Sequence, residues 1–135
     1  LNEQNKIRTM SNNSIKANEL RIGNYVFDNL GGTLKIKAVS TESDLPHIKG
    51  IPLTDEWFKK WGFYKDGEYW SKGIFDYKYC FKYRDWANNW AFYQEYTDSP
   101  NPKDDGIKYP ISFDIEYVHQ LQNLWFALLY EEIEP

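Results

Sequence analysis

From Ile74 to Arg84 the chain alternates with period two: Phe75, Tyr77, Tyr79, Phe81 and Tyr83 fall on one side, and Asp76, Lys78, Cys80, Lys82 and Arg84 on the other. A helix would scatter those rings around its circumference, whereas an extended strand gathers them on one face. The pattern predicts one continuous strand over 74–84, with its aromatic face in the core. Asp85-Trp86-Ala87-Asn88 supplies a turn, and Asn89 to Thr97 reads as the return strand, with Trp90, Phe92 and Tyr96 on one face and Tyr93 on the other. Facing aromatics in such a hairpin contribute about 0.2–1 kcal/mol per cross-strand pair.

The remaining segments fit around this hairpin. Leu20 to Asp28 and Thr33 to Val39 flank Asn29-Leu30-Gly31-Gly32 and predict a second hairpin. His47 to Ile51 reads as a strand stopped by Pro52. Thr54 to Gly62 reads as a short helix, with Thr54 as N-cap, Gly62 at the stop, and Trp57 and Trp61 one turn apart on the buried face. Lys65-Asp66-Gly67 marks a turn, Asp98 to Gly106 a loop, and Ile107 to Phe113 an edge strand interrupted by Pro110. Asp114 to about Tyr130 predicts the main helix: Val118, Leu121, Leu124, Trp125, Leu128 and Leu129 form its apolar stripe, and Glu116, His119, Gln120 and Asn123 the polar one.

These elements predict an α+β fold. An antiparallel, strongly twisted sheet, partly an SH3-like barrel in the N-terminal half, packs against one long C-terminal helix, with a short helix near 54–61. At 135 residues the chain has the size of one domain and buries about two-thirds of its unfolded surface. Residues 1–15 read as an N-terminal extension and 16–135 as the single domain; Met10 opens a more ordinary start than Leu1.

Reacting groups are sparse in the sequence. Cys80 is the lone cysteine and forms no internal disulfide, which favours a reducing, cytoplasmic setting. His47 and His119 are the two histidines, and neither has a second histidine near it in sequence to suggest a metal site. Phosphate-binding, nucleophile-elbow and zinc-protease motifs are lacking. We therefore expect no catalytic residues, no metal and no cofactor.

Charge is uneven. The net charge is −4, and residues 98–135 alone carry eight acidic and two basic groups. No basic stripe marks the sequence, which argues against direct nucleic-acid binding and for a basic protein partner. The chain is 19% aromatic, and rings near turns can anchor a protein interface. The candidate partner-binding residues are Trp86, Trp90, Tyr93, Asp104 and Asp105 around the hairpin and loop, and Glu116, His119, Gln120 and Asn123 on the helix. The helix stripe could equally satisfy backbone groups of the N-terminal hairpin.

Three segments carry a family resemblance: Lys16-Ala17-Asn18-Glu19-Leu20-Arg21-Ile22-Gly23-Asn24-Tyr25-Val26, Ile51-Pro52-Leu53-Thr54-Asp55-Glu56-Trp57-Phe58, and Glu116-Tyr117-Val118-His119-Gln120-Leu121-Gln122-Asn123-Leu124-Trp125-Phe126-Ala127-Leu128. Over residues 16–132 the chain resembles a family of small proteins from Bacteroidetes phages and prophages. Members usually follow the last helix with a glycine-containing stop; Leu129-Tyr130-Glu131-Glu132 departs from that, so the helix is expected to run further. The resemblance implies a non-enzymatic accessory protein that binds and inhibits a host defence protein. An anti-CRISPR inhibitor of an RNA-guided nuclease, or of its guide-bound complex, fits best. No catalytic residue is carried over, and no membrane is implied. The alternatives are a small-ligand or carbohydrate-binding module using Trp70, Trp86 and Trp90, and a nucleic-acid-binding phage accessory protein.

Overall fold

The structure is a computed structural model and describes residues 15, 19–37, 48–97 and 106–134. The fold is α+β, with seven strands and two helices among those residues: β1 (Tyr25–Phe27), β2 (Thr33–Lys35), α1 (Asp55–Lys60), β3 (Tyr64–Asp66), β4 (Tyr69–Ile74), β5 (Tyr77–Arg84), β6 (Asn89–Tyr96), β7 (Lys108–Ile115) and α2 (Val118–Leu129). The chain groups into two compact units, Leu1–Pro52 with Tyr117–Ile133, and Leu53–Glu116 with Glu134–Pro135.

In the first unit β1 and β2 pair antiparallel with Val26 opposite Leu34, as the hairpin reading expects. Of the expected strand at 47–51, Lys49 forms an isolated bridge to Phe27; His47 lies outside the described residues. Ile15, assigned to the extension by the sequence, packs with Val26 and Ile36 in a small core. α2 contacts β1 and buries Val118, Leu121 and Trp125 from its apolar stripe, whereas Leu128 is exposed. The helix starts four residues later than the sequence suggests, because Asp114 and Ile115 belong to β7. It also stops rather than running on: Tyr130 adopts φ +54, taking the left-handed C-terminal position usually filled by glycine, and its N–H donates to the Phe126 carbonyl.

The second unit is an open five-stranded antiparallel sheet in the order β3-β4-β5-β6-β7. The described strands close no barrel. Within this unit the helix laid on the sheet is the short α1. Phe58 of α1 is fully buried and meets Phe63, Trp70, Phe81 and Trp90 at ring-centroid distances of 4.8–5.9 Å. Trp57 and Trp61 share the buried face, 5.4 Å apart, as their spacing predicts. Phe81 stacks on Phe92 directly across β5 and β6 at 4.4 Å. One sheet face is therefore an aromatic core, as the alternation requires.

The continuous strand expected over 74–84 is broken. Ile74 pairs with Tyr77, and Phe75-Asp76 form a two-residue hairpin loop between β4 and β5. Phe75 leaves the core face and is 98% exposed, with φ +55. The first position of such a loop ordinarily takes glycine, and a side chain there costs about 1–2 kcal/mol. Phe75→Gly is accordingly expected to stabilise the protein by about 0.5–1 kcal/mol, since glycine's greater freedom in the unfolded chain returns part of the gain. A higher urea midpoint at unchanged slope checks this.

Candidate functional site

The second face of the five-stranded sheet is mixed: Ser71, Cys80 and Ala91 are fully buried on it and Glu95 nearly so, with charged and aromatic side chains around them. Strand pairing places Lys78, Lys82 and Arg84 of β5, Tyr93 and Glu95 of β6, Tyr69 of β4 and Lys108 of β7 on it. Arg84 is held at one end. Its Nε–H donates to Asn89 Oδ1 at 2.9 Å and its Nη2 to the Phe113 carbonyl at 2.8 Å. The guanidinium lies 4.6 Å from the Trp86 ring centroid and 5.0 Å from that of Phe113. Among the described residues no carboxylate forms an ion pair with Arg84. From Phe113 a ring contact runs to Tyr93 at 6.0 Å, and from Tyr93 to Tyr69 at 5.8 Å. Lys82 and Lys108 stand 5.9 and 4.7 Å from the Tyr69 centroid.

Carboxylates balance part of this charge. Lys78 is held by Asp66 at 2.6 Å and Glu95 at 3.3 Å, which push its ammonium well above the usual lysine range and make it a structural charge. Lys108 pairs with Glu95 at 3.1 Å, and Lys82 with the solvent-exposed Glu68 at 3.0 Å. An exposed pair like the last is worth little and exchanges readily for another anion. Cys80 lies buried in the same sheet beside Ser71, whose hydroxyl donates to its Sγ at 3.4 Å. Burial pushes the Cys80 thiol up, away from the thiolate a nucleophile needs.

The sequence-derived candidates separate into several fates. Trp86 is 82% exposed in the β5–β6 turn, and Tyr93 joins it on the sheet face through Arg84 and Phe113. Trp90 is a core residue instead, its indole N–H donating to the Leu53 carbonyl at 3.0 Å. Trp70 is also core and donates to Asp55, so two of the three tryptophans of a carbohydrate platform are unavailable to a ligand. Asp104 and Asp105 lie outside the described residues. Glu116 is exposed, and its carbonyl accepts from the Leu53 N–H.

In the first unit the polar stripe of α2 is consumed internally. Gln120 Oε1 accepts from the Tyr117 N–H at 3.0 Å and caps the helix start. Asn123 accepts from Asn24 Nδ2 at 2.8 Å and donates to the Glu19 carbonyl at 2.8 Å. Asn123 thus bonds the segment that leads into the N-terminal hairpin, whereas Gln120 serves the start of its own helix and no backbone group of that hairpin. His119 is 1% exposed, stacked on Tyr117 at 5.8 Å, with both ring nitrogens lacking hydrogen-bond partners. Burial holds the imidazole below the usual histidine range, while the Glu19 carboxylate, 3.7 Å from Nε2, pulls the other way.

This gives a pH dependence of definite sign. A depressed folded value means that the unfolded chain binds the extra proton, so stability is fully present above about pH 6.5 and falls as pH drops toward the folded value. Melting temperatures at pH 7.5 and 5.5 should show the loss, and His119→Phe should flatten it.

The residues that the sequence did not single out are Phe75, Arg84, Lys82, Lys108, Tyr69 and Phe113. For Lys82 and Arg84 the signal was the charged side of the alternation around 78–84; the other four carried no comparable signal. Among the described residues no cluster of His, Cys, Asp and Glu could hold a metal ion, and no helix is long and apolar enough to cross a membrane. Comparison with known protein families, with curated proteins and with solved structures finds no match to this chain.

Proposed function

We propose that this chain is a non-enzymatic binding protein that docks on a host defence protein, as an inhibitor of an RNA-guided nuclease encoded by a Bacteroidetes phage or prophage. The observation that carries the binding role is the exposure of Phe75 and Trp86, two large rings at hairpin tips with little packing to hold them there. Phe75 is in addition kept at a positive φ that disfavours any side chain. Exposed aromatics of this kind anchor interfaces, because a few buried rings carry most of a binding energy. The two tips lie at opposite ends of the eight-residue β5, roughly 25–30 Å apart, so a partner that buries both must be large. A guide-loaded nuclease has that size. The family likeness of the three segments 16–26, 51–58 and 116–128 supplies the phage context.

The test is target cleavage by a guide-loaded Bacteroidetes nuclease with the protein added beforehand. The parent chain is expected to suppress cleavage, and Phe75→Ser with Trp86→Ser to lose at least about tenfold in potency while remaining folded. Full potency in that double variant would overturn the docking role.

A further inference from the structure

The cation–aromatic face of the five-stranded sheet has a ligand chemistry of its own. Lys82 and Arg84 are neighbours on β5 while Lys108 is remote from both in sequence, and the chain is acidic as a whole. Pairing of β4, β5, β6 and β7 gathers these cations onto one face with Tyr69 and Tyr93, beside Phe113 and the Trp86 turn. We infer that this face binds single-stranded nucleic acid, with bases stacking on the rings and phosphates meeting Arg84, Lys82 and Lys108.

Three features support that ligand over an acidic peptide. First, Trp86 offers a widely exposed ring for a base, and Phe113, Tyr93 and Tyr69 continue from it by way of Arg84 as partly exposed rings in edge-to-face contact at 5.8–6.0 Å. Second, Arg84 is preorganised. Two of its N–H groups are spent on Asn89 and the Phe113 carbonyl, which fixes the plane and leaves the remaining donors for an anion. Third, the carboxylates that balance Lys82 and Lys108 are one each, and Glu68 is exposed enough to yield its cation to a phosphate. An acidic peptide would use the cations and leave the exposed Trp86 ring without a role. The net charge of −4 opposes any polyanion, so binding should be modest and strongly dependent on salt.

The inference does not depend on nuclease inhibition, because its probe is free oligonucleotide. Fluorescence anisotropy of labelled oligo-dT and oligo-rU should report binding by the full chain in low salt. With two or three phosphates neutralised, affinity should fall about seven- to twentyfold between 50 and 200 mM salt. Trp86→Ala should weaken binding at least about fivefold without altering the salt slope, since it removes a stacking surface and no charge. Lys82→Gln should instead lower the slope by about 0.7. Circular dichroism confirms that each variant is folded. Absence of binding in low salt, Trp86→Ala binding as tightly as the parent, or a polyglutamate peptide competing as well as the oligonucleotide would each overturn the assignment.

Discussion

Phe58→Ala is expected to cost about 3–5 kcal/mol, measured as a fall in urea-unfolding free energy. Phe58 is fully buried and is the ring through which α1 is attached to the sheet, with Phe63, Trp70, Phe81 and Trp90 around it. Truncation removes the transfer energy of the ring and leaves a cavity walled by large aromatics. Those walls come from α1's own following segment and from three separate strands, so they cannot all close on the void together. A loss below about 1 kcal/mol would mean that the site collapses freely and that the aromatic face is not the jigsaw described.

Gln122→Leu is expected to cost about 2–4 kcal/mol despite its similar size and greater apolarity. The Gln122 side chain is buried in α2, where its Oε1 accepts from the Tyr25 N–H at 2.8 Å and its Nε2 donates to the Gly23 carbonyl at 3.1 Å. Leucine leaves one backbone donor and one acceptor without partners, and each orphaned group costs about 1–3 kcal/mol. The same unfolding measurement checks this. Gln122→Glu separates the two halves, because a carboxylate keeps the acceptor for Tyr25 and loses the donor for Gly23.

These two sites mark what the sequence made legible and what it hid. Strict alternation around Tyr77–Tyr83 exposes both a strand and its buried face, since only an extended chain turns such a pattern into one surface. The same alternation conceals the break at Phe75-Asp76. Phenylalanine carries no turn signal, and the phase of the pattern continues unbroken through the loop. Asp114 resembles a helix cap, yet Ile115 pairs with Trp90 in the sheet, and that tertiary pairing takes precedence over local preference. Asn123 reads as part of a polar helix stripe, and Gln122 falls on neither stripe, because composition cannot show that the segment around Gly23 and Asn24 has open backbone and amide groups to offer. Of the candidate binding residues, Trp86 and Tyr93 meet on one surface. The partner cations escaped notice because Lys108 is remote from Lys82 in sequence and close only through β6.

The proposed function requires that the second face of the five-stranded sheet and its hairpin tips work by occupancy rather than by turnover. The most direct measurement is titration of a fixed amount of guide-loaded nuclease with this chain, following residual cleavage to its end point. Inhibition is expected to saturate at a fixed stoichiometric ratio, and dilution is expected to restore cleavage. Complete inactivation by a small fraction of an equivalent, persisting after the chain is removed, would contradict that requirement.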